Sequence, residues 1–442
     1  MEQGLATTLK DAYRACDVKP LEGDDIERYY VPLEARQDSI INIHSSLGIL
    51  QPKEKIALLF SGHVGSGKSS ELARIAERWK DEFTVLFINM DEESDRNDLE
   101  YTDLYLVIIK QVEYALREQG IRFNPDLEKG FEQWFLEITE EREETVTRAV
   151  NLEAEATLGS EAPFLAKFLV KILAQIKGST TDKKRIRRVI SQEVSRMKAD
   201  INLLLEDGCD QLIKKFPDKK GFLIILDNLD KCPPNVANRL FFDYANQLQE
   251  LNCSIIYTVP IASFYALNGI SPSFDNPPDI VPMVNIYQFD RDSVELTYDE
   301  ESLNAIASLI EKRVDVETVF ESREQLIDLA RISGGHPRFL MQMMRTACLT
   351  ADGRGHKKIQ SDDVVYAVKQ LQFRFERSIP REYYPVIAKA AIEKDLPEDD
   401  ISQQLLFTTA ILEYNGNNRW IYPNPLVRRS ELYKRALSAA QS

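Results

Sequence analysis

Five stretches of the chain concentrate apolar, β-branched and aromatic residues, while most others repeat apolar residues every three or four positions. These runs are residues 56–60, 83–89, 222–226, 253–259 and 281–287. Dense runs of this kind, with few polar residues, predict strands buried on both faces, the pattern of a parallel sheet covered by helices. Helical period predicts helices over residues 38–50, 70–76 and 101–120, with an acidic loop at 91–98. From about 126 to 218 strand signals all but vanish, which predicts a helical insertion. Within it, positions 164, 165, 168, 169, 172, 173 and 176 share one helical face with lysines opposite, suited to packing of an inserted hairpin, to a membrane surface or to a partner. Residues 303–314, 322–331, 339–351 and 361–379 read as a smaller helical unit. Beyond residue 383, helices precede two β-rich arms around Asn415-Gly416-Asn417-Asn418, a hairpin signature that completes a winged-helix-like pattern.

The first apolar run feeds directly into Gly62-His63-Val64-Gly65-Ser66-Gly67-Lys68-Ser69, followed by Ser70 and a helix. Glycines at 62, 65 and 67 let successive backbone N–H groups converge on a β-phosphate at a helix N-terminus. Lys68 then reaches the β- and γ-phosphates and the Ser69 hydroxyl ligates Mg²⁺. The stretch from Gly62 to Ser70 is therefore the expected nucleotide-binding segment, with ATP and Mg²⁺ as cofactors. His63 reads as a spacer directed to solvent; His44 and His356 show no partners. A second motif, Asp227-Asn228-Leu229-Asp230, ends the third apolar run, on a strand expected beside that of the phosphate loop, where Asp227 is placed to hold the metal. The fold class predicted is α/β, a P-loop NTPase parallel-sheet core with a helical insertion, a helical lid domain and a C-terminal winged-helix-like domain. The expected domains are an adenine-proximal segment 1–51, a core 52–290 with its insertion at about 126–218, a lid 291–380 and a tail domain 381–442. The segment Tyr29-Tyr30-Val31-Pro32-Leu33-Glu34-Ala35-Arg36, followed by the amphipathic run 38–50, is expected either to wrap the adenine or to pack on the sheet edge.

Composition narrows the class without deciding it. In 442 residues the net charge is −16 with 29% charged residues, which opposes broad non-specific nucleic-acid binding. No apolar run approaches the ~20 residues of a membrane span, and the N-terminal residues lack a signal-peptide pattern. Five cysteines, at 16, 209, 232, 253 and 348, show neither metal spacing nor an even framework, so reduced thiols and a cytoplasmic location are expected. The tail from Arg381 is balanced, with eight basic and eight acidic residues, but five of the basic ones fall between Arg419 and Arg435 against a single acid, Glu431.

The order of these features resembles the AAA+-related STAND ATPases, with origin-recognition-like and KAP-like relatives. It spans most of the chain: phosphate loop, Asp-rich second motif, polar residue on the next strand, Ser333-Gly334-Gly335-His336-Pro337-Arg338 in the lid, and hairpin-bearing tail. The resemblance implies phosphate and Mg²⁺ binding by Lys68 and Ser69, metal binding by Asp227, a sensor role for Thr258, and a γ-phosphate-reporting role for Arg338. One departure stands out: Asn228 occupies the place where many AAA+ members carry a glutamate, and an amide orients water but accepts no proton. Asp230 is the nearby acid, so the candidate catalytic set is Asp227, Asn228, Asp230 and Thr258. Arg239 is a candidate for reaching a neighbour's γ-phosphate.

Three functions follow. The first is a slowly hydrolysing switch ATPase that assembles with itself on ATP binding or with a separately encoded effector, as in bacterial antiviral defence or signalling. The second is a DNA loader or remodeller that uses the winged helix and the basic run 183–188, making nucleic acid the alternative partner. The third is a non-hydrolysing nucleotide-binding scaffold.

Overall fold

The computed structural model describes residues 4–140, 164–178, 180–266, 274–414 and 419–442. The turn 415–418 lies outside them, as do residues 141–144 of a glutamate-rich stretch, 140–144, within the expected insertion. Four of the apolar runs form β1 (Ala57–Gly62), β2 (Thr84–Asn89), β3 (Phe222–Asp227) and β4 (Ser254–Pro260) of a parallel sheet that β5 (Asp279–Ile280) completes, in the order β2-β3-β4-β1-β5. β1, β3 and β4 are buried on nearly every residue, as strands covered on both faces require. β4 therefore separates the strand of Asp227 from the strand of the phosphate loop, correcting the expectation that they are neighbours. The register aligns Phe60 with Thr258 and Gly62 with Pro260.

The expected strand at 281–287 is a second correction. Only Asp279–Ile280 pairs with β1, apart from an isolated bridge between Tyr287 and Tyr298. Val281, Met283, Val284, Ile286 and Tyr287 are buried all the same, because this segment runs from the sheet into the core of the helical lid. Burial explains the apolar run; it does not require a ladder.

One face of the sheet carries helix Lys68–Trp79; the other carries helix Tyr101–Glu118 and the inserted helices Pro125–Glu140, Phe164–Gly178, Thr180–Gln192 and Val194–Lys215. Among the described apolar side chains of helix Phe164–Gly178, Leu165, Leu169, Ile172, Leu173 and Ile176 are all buried, so its apolar face packs inside the protein. Two residues of the basic run that follows also turn inward, while Lys184 and Arg188 are exposed. Lys183 pairs with Asp98 at 2.9 Å, and Arg187 bridges Asp98 at 2.9 Å and the buried Asp103. Among the described residues no helix is long and apolar enough to cross a membrane. Beyond β3 the chain forms a short helix at Pro234–Asn238, a wide turn at Arg239–Asp243, and a second short helix at Ala245–Gln249.

Helices Glu300–Glu311, Arg323–Ser333, Pro337–Arg354 and Ser361–Ser378 build the lid. Helices Tyr384–Glu393 and Asp400–Phe407 then lead to an antiparallel hairpin of β6 (Ile411–Tyr414) and β7 (Trp420–Pro423), closed off by helix Glu431–Gln441. This is the winged-helix-like arrangement expected of the tail. The lid and tail share one continuous core, in which Tyr287 packs edge-on against Tyr414 and Tyr422. All five cysteines are buried and free.

Candidate nucleotide site

The phosphate loop leaves β1 and enters helix Lys68–Trp79 through Gly67, which is left-handed at φ 105°. Lys68 is 3% exposed. Its Nζ donates to the carbonyls of Gly62 and His63, each at 2.8 Å, and meets Asp230 Oδ2 at 2.7 Å. The ammonium is thus held at the floor of the loop by fixed acceptors, with an acidic group opposite. Ser66 is fully buried and its carbonyl accepts from Arg36 Nη2 at 2.5 Å. Ser70 Oγ accepts the Leu21 N–H at 2.9 Å, tying the N-terminal segment to the first turn of the helix.

Arg36 is a site residue that pattern reading did not single out. Besides Ser66 it lies 3.6 Å from Glu71, a buried acid that also pairs with Arg74 at 3.0 Å. Tyr30 donates its hydroxyl to the same carboxylate at 3.0 Å. Burial, and then the Glu71 charge, push the Tyr30 phenol up to about 12. The Arg36–Glu71–Tyr30 cluster locks the 29–36 segment against the helix that follows the loop.

At the end of β3, the Ser69 hydroxyl bonds the Asp227 carboxylate, and Asp227 Oδ1 accepts from the Asn228 N–H at 2.8 Å. Asp227 is pushed above the usual carboxylate range by burial and then by the charge of Asp230. A carboxylate beside a hydroxyl, with a second carboxylate raising the cost of its ionisation, is an oxygen-donor set that suits Mg²⁺. Asn228 adopts φ 71° and its side-chain N–H₂ donates to Asn89 Oδ1 at 2.6 Å. Left-handed backbone here is what brings Asp230 round to face Lys68.

Thr258 is completely buried, and its hydroxyl is occupied within the sheet. It donates to Leu226 O at 3.0 Å and accepts from Leu229 N at 2.9 Å. Thr258 therefore ties the turn after β3 to β4 through its hydroxyl. Arg239 is likewise engaged within its own chain, donating to Leu99 O at 3.0 Å and pairing with Glu100 at 3.2 Å.

The lid meets the loop through its Gly-Gly-His-Pro-Arg turn. His336 Nδ1 accepts the Phe339 N–H at 3.3 Å as the cap of helix Pro337–Arg354, which leaves Nε2–H to donate to Val64 O at 3.1 Å. The Arg338 backbone N–H faces Gly65 O at 3.4 Å. Gly65 has φ 94°, and a Cβ there would stand 2.7 Å from His336 and 2.9 Å from Arg338; only glycine permits so close an approach. The Arg338 guanidinium is lowered from its ordinary range by burial, offset by the charge of Asp230.

These elements enclose a cleft of about 870 Å³, open mouth included, between Tyr29 and Tyr30, the loop at Gly65 and Lys68, Asp230, and Arg338. Val64, Gly67, Ser69, Ser70 and Asn228 line it as well.

Three histidines differ from expectation. His63 is 1% exposed, not directed to solvent, and its Nε2 accepts the Glu413 N–H of β6 at 2.8 Å. His44 Nδ1 accepts from Trp79 Nε1 at 2.9 Å, and His356 Nδ1 lies 2.8 Å from Asp363 Oδ2. Each partner arrives from a helix or strand that spacing along the chain does not reveal, except Asp363, which stands seven residues on.

The parallel sheet, with a phosphate loop at the end of β1 and acids at the end of β3, defines a P-loop nucleotide-binding fold. No protein-family profile and no curated protein matches the chain. Among solved structures it is similar to Cdc6p from Pyrobaculum aerophilum, at 13% identity over 93% of this chain and 97% of that one, TM-score 0.40. It is similar also to ORC2 from Aeropyrum pernix at 11% identity over 97% and 98%, TM-score 0.41. Drosophila ORC, solved bound to DNA, matches at 13% identity over 99% and 93%, TM-score 0.40. All three are origin-recognition or Cdc6 proteins, and none is of the STAND or KAP type. At such scores the assignment of the fold rests on the sheet and the loop themselves.

Proposed function

We propose that this chain is an AAA+-type ATPase that binds ATP with Mg²⁺ between core, N-terminal segment and lid, and uses slow hydrolysis to switch its assembly state. The observation that carries the reading is the shared cleft. Phosphate donors from the loop, Asp230 from the turn that follows β3 and Arg338 from the lid line one space. A ligand touching all three has differential contacts in open and closed states, the requirement for a nucleotide-controlled change. In this reading, loop N–H groups and Lys68 bind the phosphates while Ser69 and Asp227 hold Mg²⁺, which when bound neutralises charge developing on the transferred phosphoryl group. Asn228, tethered to Asn89, orients the attacking water, and Asp230 accepts its proton. Arg338 senses the γ-phosphate from the lid.

Calorimetry with ATP and ADP, together with phosphate-release kinetics, tests the assignment directly. Asp230→Asn is expected to slow hydrolysis by about 10²–10⁴-fold while ATP affinity is kept, the range for loss of a general base. Equal rates would leave Asn228 orienting water without a local base. Arg338→Ala is expected to erase the difference in protease sensitivity between the ATP and ADP forms, and a difference of wild-type size would remove Arg338 from lid control.

The output of such a switch falls to a partner or to further copies of the chain. Protein contact is favoured over DNA because the basic residues of the tail are largely spent internally. Arg419 pairs with Asp395 at 3.3 Å and with Glu413 at 3.8 Å, Arg428 with Glu295, and Lys434 with Glu431 at 2.9 Å. Lys183 and Arg187 are engaged with the acidic loop in the same way. DNA loading stays as the second reading on Arg429 and Arg435, which are exposed and outside these pairs. ATP-dependent assembly without DNA in mass photometry supports the first reading; assembly only on a long duplex supports the second. Nothing in the described residues points to antiviral defence in particular.

A further inference from the structure

The histidine inside the phosphate loop turns away from the cleft and toward the tail. Its Nε2 accepts the Glu413 N–H at 2.8 Å, which fixes the proton on Nδ1. Nδ1 is buried near the Leu406 carbonyl of helix Asp400–Phe407 without a hydrogen-bond partner of good geometry. Burial and the nearby Lys68 ammonium hold the ring neutral, its pKa lowered to about 3. The same residue's carbonyl accepts from Lys68 Nζ at 2.8 Å. His63 thus has its backbone on the phosphate-binding lysine and its ring on the hairpin.

The next hairpin residue continues the chain of contacts. Tyr414 Oη donates to Gly334 O at 2.8 Å, in the turn that presents His336 to Val64. Loop, hairpin and lid therefore close a triangle of hydrogen bonds in which His63 is the corner nearest the phosphates.

We propose that His63 is a positioning residue through which nucleotide at Lys68 loosens the C-terminal hairpin, an inference that rests on the nucleotide reading above. A phosphate oxygen competes for the ammonium protons that Lys68 gives to Gly62 O and His63 O. When they are withdrawn, the His63 peptide loses a restraint on one side and its ring loses its fixed aim on the other. By linkage, the hairpin in turn modulates nucleotide affinity.

The Glu413 amide makes this measurable, since its partner is the histidine ring and its exchange rate reports that one contact. Hydrogen exchange on the full chain, with and without Mg-ATP and with binding measured on the same sample, is expected to show Glu413 protection falling at least ~10-fold when ATP binds. His63→Ala, studied at ATP concentrations that saturate its own measured affinity, should leave Glu413 poorly protected and remove the ATP response. His63→Gln, whose amide oxygen can stand in for Nε2, should restore it. Protection at Glu413 that is unchanged or increased in ATP-saturated wild type would overturn the proposal, as would a full response in His63→Ala. If His63→Ala does not fold, wild type and His63→Gln still decide it. Absence of ATP binding by wild type would instead overturn the nucleotide reading, and the binding measurement distinguishes the two failures.

Discussion

Lys68→Ala is expected to weaken ATP binding by at least about 100-fold in calorimetry, because the ammonium supplies charge-assisted hydrogen bonds worth ~1.5–3 kcal/mol each. The side chain is 3% exposed and its three acceptors, Gly62 O, His63 O and Asp230, are all within 2.8 Å. Removing it also strands Asp230 as a buried acid without its main partner, so some loss of thermal stability accompanies the binding defect. The double variant Lys68→Ala/Asp230→Asn separates the effects: stability should recover while binding stays lost. Tight ATP binding by Lys68→Ala would sink the phosphate-loop assignment.

The second large effect concerns stability. Gly335 has φ 74°, and a Cβ there would stand 1.8 Å from the backbone oxygen of Val284. Left-handed strain and a backbone clash that no side-chain rotation relieves together make Gly335→Ala cost about 3 kcal/mol or more. The damage centres on the turn that carries His336 and Arg338, so ATP affinity should fall with the unfolding midpoint. Gly353→Ala is the control: it lies within helix Pro337–Arg354 and a Cβ there meets nothing within 4 Å. Alanine at that position should be neutral or stabilise by up to about 1 kcal/mol. Equal unfolding midpoints for the two variants in guanidinium titrations would show that the Val284 contact is not what constrains the turn.

Local chemistry was readable where all its parts are contiguous. Nine adjacent residues from Gly62 to Ser70 carry strand exit, glycine turns, cation and hydroxyl, and Asp227 to Asp230 carry the paired acids. The roles of Asn228 and Thr258 were harder to read. Asn228 is left-handed and tied to Asn89, and Thr258 spends its hydroxyl on Leu226 and Leu229; both depend on which strands neighbour β3. The apolar run 281–287 was read as a strand because burial and sheet pairing leave the same composition.

Charge was equally ambiguous along the chain. The run 183–188 and the basic residues 419–435 suggested a phosphate-binding surface, yet Lys183, Arg187, Arg419 and Arg428 are matched by acids from distant segments. A basic cluster in sequence reports local charge density, whereas a binding surface needs that charge unpaired after folding.

The division between the two levels follows from range. Strand burial, helix period and the geometry of a phosphate-binding turn are set by side chains within a few residues of one another, so the order of letters suffices for them. The grip on that turn comes from far away: His336 reaches Val64 across 272 positions and Glu413 reaches His63 across 350. Those contacts exist because β5 and the 281–287 segment swing the lid and tail back over the end of the sheet. That path is selected by burial of the shared core as a whole, and no local pattern encodes it.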